Sequence, residues 1–323
     1  MARHSLSYIA RGSRGALSFQ WRASRGGAEM YHSAMVPHAG ADSRIFREVV
    51  ELGSVLPQLA EVADAEVVAD VAILWDAECW WAMQGTHLPS SSVDYLAAVQ
   101  AAHRHFWRAG VTVDFAAPAA DLSSYKVVVV PSLYLISDEA AASIAAYVEG
   151  GGQLVVGYFS GIVDPDVQVR LGGYPGAIED VLGVRVEEFH PLPSDGVVEL
   201  SSGGRGRLWS EDVHAVSAEV VDRYVGGVLD GKPAVTRRQV GAGTAWYVST
   251  ELDDETAAGL FGLTTAAGET VRRRAGDTTW TFLLNHGDAE VVVPAEGVEL
   301  ISGASVDGSL SLPAGGYAVV RSP

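Results

Sequence analysis

Asp76 and Glu78 follow an apolar run and sit beside Cys79, Trp80 and Trp81. Two carboxylates at the carboxyl end of a strand can act as acid and base, and ligands of open α/β sheets gather there. The plainer reading is that they cap the next segment and help packing. Farther on, Tyr158-Phe159-Ser160-Gly161 ends another apolar run. A sharp strand-to-helix turn there can carry a nucleophile, with His190 or His214 as base to Ser160. The glycine that such an elbow needs two residues before the nucleophile is Tyr158 here, so the pattern is incomplete. Glu29 and His32 read, by spacing alone, as a local surface ion pair. His32, His38 and His87 lack metal-ligand spacing, and the single cysteine cannot form a thiolate cluster. No metal and no cofactor are therefore expected. Gly150-Gly151-Gly152 precedes a strand, whereas a phosphate-cradling loop follows one and opens a helix. It reads as a helix stop, and Gly172-Gly173-Tyr174-Pro175-Gly176 as a turn into a helix.

The elements that must position these residues follow from periodicity. Leu6, Ile9 and Ala10 give helical spacing over Ala2–Arg11, ended by Gly12 and Gly15. Ala16–Trp21 is a candidate buried strand. Asp42 and Ser43 offer caps to a helix over Arg44–Ala60, whose Ile45, Val49, Leu52, Leu56 and Leu59 form one apolar face. From Glu66 onward, apolar strands alternate with helices. Strands are expected at Val67–Trp75, Val111–Phe115, Lys126–Pro131, Gln153–Phe159 and Gly243–Thr250, with helices at Ser92–Ala109 and Asp138–Glu149. That alternation means a parallel sheet covered on both faces. After Thr264 the pattern turns to alternation and turns, with strands at Thr278–Leu284, Glu290–Val293 and Gly315–Val320: a small antiparallel β-sandwich.

Composition narrows the function. The chain has 323 residues, 48% of them apolar, and a net charge of −18. It is globular rather than disordered, and its charge repels nucleic acid and anionic membrane alike. No apolar run reaches the ~20 residues of a membrane span. The opening Met1–Arg11 lacks the continuous apolar stretch of a secretion signal, so the cytoplasm is the expected compartment. The aromatic stretch Trp75–Trp81 is where a partner surface is expected, because aromatics are enriched at interface cores.

Longer blocks carry a family resemblance. Phe19-Gln20-Trp21-Arg22-Ala23-Ser24-Arg25-Gly26-Gly27-Ala28-Glu29-Met30-Tyr31-His32, continuing to His38, resembles the last βα segment of the barrel of β-galactosidases grouped as glycoside hydrolase family 42. The resemblance continues through Ser43–Gly53, Tyr158–Asp164, Val169–Gly176 and Leu283-Leu284-Asn285-His286-Gly287. It implies an α/β fold in three parts. Residues 1–65 would be a remnant of a (β/α)8 barrel. Residues 66–263 would be a flavodoxin-like, doubly wound parallel sheet that builds a homotrimer, and residues 264–323 a small antiparallel β-sandwich.

The resemblance also implies an activity, the retaining hydrolysis of terminal β-galactosides. That chemistry uses two carboxylates about 5–5.5 Å apart. In the family both precede the segment at Phe19–His38, so no residue here is assigned as catalytic. Phe19, Glu29 and His32 match positions that contact galactose: an aromatic face for the apolar side of the sugar, a carboxylate and an imidazole for its hydroxyls. A barrel typically takes about 250 residues, so the chain reads as the C-terminal part of a larger enzyme, inactive alone. A β-galactoside is then a partner only when the barrel is completed. The alternatives are a module complementing a separately encoded barrel half, or an amidotransferase- or esterase-like enzyme using Ser160. Lacking most barrel strands, residues 1–60 are expected to be mobile or to pack improvised against the second domain.

Overall fold

Val71–Leu74, Val127–Val130 and Gln153–Gly157 are short and rich in β-branched residues, with almost every side chain buried between covering layers. Such runs are stable as the centre of a parallel sheet. In the computed structural model, which describes residues 1–323, five strands form that centre. Their spatial order is Val113–Ala116, Val71–Leu74, Val127–Val130, Gln153–Gly157 and Gly243–Val248. The register pairs Val71 with both Val113 and Val127, and Leu154 with both Val128 and Ala245. Numbered along the chain, the order is 2-1-3-4-5.

The helices appear where their caps place them. Asp94 accepts a hydrogen bond from the Ala97 amide at 2.8 Å and starts Tyr95–Arg108. Ser137 accepts from the Ala140 amide at 3.1 Å and starts Asp138–Glu149. Gly243 must be glycine, because a Cβ there would lie 2.1 Å from the Val148 carbonyl oxygen.

The sheet is mixed rather than wholly parallel. Beyond Gly243–Val248 it continues through Pro233–Val240, Glu219–Val225, Val197–Leu200, Arg205–Arg207 and Glu251–Leu252, paired antiparallel. A separate antiparallel pair, Val184–Pro191 with Trp209–Ala215, lies in the same unit. Of these strands, Glu219–Val225 alternates between buried and more exposed residues, as a one-sided strand does. Ala69–Thr264 forms one compact unit, and Met1–Val68 forms another together with Thr265–Pro323. No helix is long and apolar enough to cross a membrane.

In that second unit, strands Glu269–Ala275, Thr278–Leu284 and Tyr317–Ser322 pair antiparallel, and Val291–Pro294 pairs with Ser309–Leu312 in a separate small sheet. Leu283, Val293, Val306, Leu312 and Ala318 pack as one apolar cluster. The opposite face carries Val271, Trp280, Phe282, Leu284 and Val319, and the opening helices cover it. Leu6, Ile9 and Ala10 of helix Ala2–Ala10 lie there with Val55, Leu59 and Val62. The opening segment thus buries its apolar face on the C-terminal strands, instead of packing improvised against the second domain. Strand Glu66–Val68 joins the sheet edge, Glu66 opposite Arg274 and Val68 opposite Arg272.

The second helix differs from expectation too. It runs Arg44–Val55 and then tightens into a 3-10 turn, Leu56–Val62. Pro57 has no amide hydrogen to give and crowds the preceding turn, which ends the α-helical ladder.

Arg273 ties this unit together. Only 3% exposed, it donates to the carbonyl oxygens of Ile9 and Ala65 at 2.9 Å each and of Ala63 at 3.4 Å. Replacing it with Met should strand those acceptors and cost the unit about 3 kcal/mol, since a buried unpaired group costs about 1–3 kcal/mol. Amide exchange in Ala2–Ala10 and Glu66–Val68 should then quicken by about a hundredfold through local opening. Unchanged protection would mean that the guanidinium is not what holds them.

Candidate functional site

The expected sugar-contacting residues lie on an irregular excursion between helices Ala2–Ala10 and Arg44–Val55. No strand forms at Ala16–Trp21. Its only pairing nearby is a single parallel bridge, Arg22 with Val36. A strand needs a neighbour along its length to pair its amides and carbonyls, and here only the end at Gln20–Trp21 has one, the segment Ser33–Val36. Leu17, Phe19 and Trp21 are accordingly exposed, Phe19 at 63%. The excursion is nonetheless ordered by its own backbone. The Met35 amide donates to the Gln20 carbonyl and the Val36 amide to that of Trp21, each at 2.8 Å. The His38 Nε2 lies 2.8 Å from the Ser24 carbonyl oxygen.

Within it, Phe19 and His32 come together, ring edge to ring face with centroids 6.0 Å apart. Glu29 sits on the adjoining turn, where its carbonyl accepts from the His32 amide at 3.0 Å. No ion pair joins the Glu29 and His32 side chains. All three side chains face solvent. Beside them the Gln20 Nε2 is buried with no acceptor, while its Oε1 accepts from the Ser24 hydroxyl at 3.3 Å. An aromatic face, a carboxylate and an imidazole on one exposed turn can bind a polyol. They contain no pair of carboxylates that could cleave one.

In the unit Ala69–Thr264 the other sequence candidates resolve as structure. Asp76 caps helix Ala77–Ala82, accepting from the Glu78 amide at 2.9 Å. Trp75 stacks on Tyr95 at 5.2 Å, and Trp80 tilts against Trp75 at 6.1 Å. Cys79 is fully buried, and burial pushes its thiol up to about 12. In a sheet of order 2-1-3-4-5, ligands enter the crevice beyond Val71–Leu74 and Val127–Val130. Helix Ala77–Ala82 and the loop after Val127–Val130, which follow those two strands, bury Cys79, Leu133 and Tyr134. No three His, Cys, Asp or Glu side chains converge as a metal set would.

Ser160 is not a nucleophile. It is fully buried; its hydroxyl donates to the Gly157 carbonyl at 2.8 Å and accepts from the Leu133 amide at 3.0 Å. His190 and His214 face acidic neighbours instead, Glu188 at 3.6 Å and Glu187 at 3.4 Å. The amidotransferase- or esterase-like reading therefore falls. The hydroxyl is spent on closing the loop after the strand.

Sequence reading missed Glu211. It is fully buried on strand Trp209–Ala215 and accepts from the Phe159 amide at 3.1 Å, the Trp209 indole at 2.8 Å and the Tyr247 hydroxyl at 2.5 Å. Burial outweighs these donors and raises its carboxyl to about 7. The signal was an inward position two residues after Trp209, visible only once that segment is known to be a strand.

Comparison with known proteins covers the whole chain. A family profile described as "Beta-galactosidase trimerisation domain" matches residues 69–269; "Beta-galactosidase" matches 1–59, and "Beta-galactosidase C-terminal domain" matches 267–322. A β-galactosidase of Arthrobacter sp. is 44% identical over 99% of this chain and 48% of its own length. β-Galactosidase LacZ of Heyndrickxia coagulans is 40% identical over 93% of this chain and 48% of its own. The crystal structure of a β-galactosidase from Bacillus circulans sp. alkalophilus superposes with a TM-score of 0.95 at 30% identity, over 99% of this chain and 51% of that one. Gan42B, a GH42 β-galactosidase from G. stearothermophilus, superposes at 0.91 with 28% identity, over 99% and 50%. The chain spans about half the length of the curated relatives it matches.

Glu211 gives a pH signature. Folding holds a proton that the unfolded chain releases above its ordinary carboxylate value, so this group's stabilising contribution falls as pH rises from about 4.5 through about 7. Glu211→Gln should flatten the fall of Tm across that window. Identical slopes in the two proteins would place the carboxyl's titration elsewhere.

Proposed function

We propose, from the premise that this chain belongs to the glycoside hydrolase 42 family of β-galactosidases, that it is the C-terminal portion of such an enzyme. The carrying observation is that three profiles of the family match in order along the chain, while the Arthrobacter and Heyndrickxia relatives extend to about twice its length. Residues 1–65 then act as the last strand–helix segment of a (β/α)8 barrel, with Phe19, Glu29 and His32 holding galactose. Residues 66–263 act as a flavodoxin-like domain that assembles a homotrimer, and residues 264–323 as the terminal β-sandwich. The compartment is the cytoplasm.

Several features support this reading. The 2-1-3-4-5 strand order is that of flavodoxin-like sheets. The crevice where such sheets bind ligands is packed with side chains, which suits a scaffold. The exposed Leu17, Phe19, Trp21 and Tyr31 suit a surface built to be covered by further barrel strands. The retaining reaction needs one carboxyl to protonate the leaving group and another to form the glycosyl-enzyme bond. Both are assigned to the barrel strands that precede this segment in the family.

The test is hydrolysis of a chromogenic β-galactoside. The 323-residue chain alone should give no turnover. Joined with the N-terminal half of the Arthrobacter relative it should gain activity, which Glu29→Gln should lower by about 10- to 100-fold, the worth of a hydrogen bond to a charged group. Turnover by the chain alone, abolished by Glu29→Gln, would put the reacting carboxylate in these residues and overturn the assignment.

A further inference from the structure

Two features of the unit Ala69–Thr264 hold apolar side chains partly or wholly in water. One is a groove of about 470 Å³ between helix Tyr95–Arg108 and strand Val113–Ala116, lined by Trp75, Leu96, Val99, Gln100, His103 and Phe115. Phe115 is 53% exposed and Leu96 37%, and the His103 ring stacks on Phe115 at 5.8 Å. The strand is the edge of its sheet, paired on one side alone with Val71–Leu74. Unpaired edges invite a partner unless something covers them.

The other is a tongue at residues 162–171. It is a built structure rather than a slack loop. Val163 bridges Val169 antiparallel, the Arg170 amide donates to the Ile162 carbonyl at 3.0 Å, and the Asp164 amide to that of Gln168 at 3.0 Å. The Asp164 carboxylate accepts from the amides of Asp166 and Gln168 at 3.0 and 2.9 Å. At the tip Val167 is held at φ +60°, a conformation that a β-branched residue takes only at a cost of about 1–3 kcal/mol. Order maintained at that cost presents Val167, Val169 and Leu171 to solvent, Leu171 at 95%.

The two surfaces are complementary. Arg104, exposed and one helical turn after the lining residue Gln100, flanks the groove with a positive charge, in a chain whose net charge is −18. Asp164 and Asp166 rim the tongue. Like-charged copies repel except where such opposite rims meet. A ring of three requires heterologous contacts, in which each copy offers two different patches; a groove meeting a groove would stop at a dimer.

We propose that the tongue of one copy, led by Leu171, seats in the Trp75–Leu96–Phe115 groove of the next, and that three such contacts close the ring. The proposal rests on the reading of this unit as a trimerisation domain and names its interface. The test is light scattering of the full chain as wild type, Leu171→Asp and Phe115→Asp, with circular dichroism to establish that each is folded. Wild type should have about three times the 34.0 kDa chain mass, and each variant the mass of one chain. An equimolar mixture of the two variants should recover a one-to-one dimer, because Phe115→Asp keeps its tongue and Leu171→Asp keeps its groove. Arg104→Glu, at an exposed position clear of the core, should loosen the ring as well. Trimeric variants would place the interface elsewhere while sparing the trimer reading. Two monomeric variants whose mixture stays monomeric would overturn the pairing of tongue with groove. A monomeric or dimeric wild type would overturn the trimer reading and this contact together.

Discussion

Every strand must find a neighbour for its amides and carbonyls, and most of this architecture is the consequence. In Ala69–Thr264 the five parallel strands satisfy one another, and the antiparallel run from Pro233–Val240 outward extends the same ladder. In the other unit, Glu66–Val68 meets the requirement by pairing with Glu269–Ala275. That pairing brings the opening helices onto the sheet of the C-terminal strands. Ala16–Trp21 meets such a neighbour only at its end, where Gln20 and Trp21 pair with Ser33–Val36. The same rule that orders the rest leaves it irregular, with its aromatic side chains in water.

Interior charge is handled in two ways. Arg273 is surrounded by carbonyl oxygens, so four of its donors find acceptors without a counter-ion, and its burial joins chain segments remote in sequence. Glu211 is surrounded by donors yet is held closer to neutral by desolvation. Glu211 is tolerated because strands hold its Trp209 and Tyr247 donors in place, and Arg273 because helix Ala2–Ala10 and the turn at Ala63–Ala65 present carbonyl oxygens to it.

The distribution of candidate function follows the same division. The unit with the most regular sheet has its ligand crevice filled, and its nucleophile-like serine is closed into a loop. The least regular stretch carries the aromatic ring, carboxylate and imidazole suited to a sugar. A site on an exposed turn needs a rigid surround to hold it within fractions of an ångström, and the strands that would flank Ala16–Trp21 supply that surround in a closed barrel. The proposed roles in assembly and sugar recognition thus fall on different parts of one chain.

Much of this was legible in the residues themselves. Ser43 announced its helix because a cap acts within three residues, whereas the helix expected from Ser92 begins at Tyr95, where Asp94 caps it. The β-branched runs announced the central strands because burial on both faces forbids polar positions. The family resemblance of Phe19–His38 was likewise written in local sequence. What only the tertiary structure decided was non-local. Glu66–Val68 became an edge strand because residues some two hundred positions away offered an open edge. Arg273 became an anchor because Ile9 and Ala65 converge on it. Glu211 became a buried acid because three strands and a loop surround it. Ala16–Trp21 has the composition of a buried strand, but composition proposes a strand and only neighbours can make one.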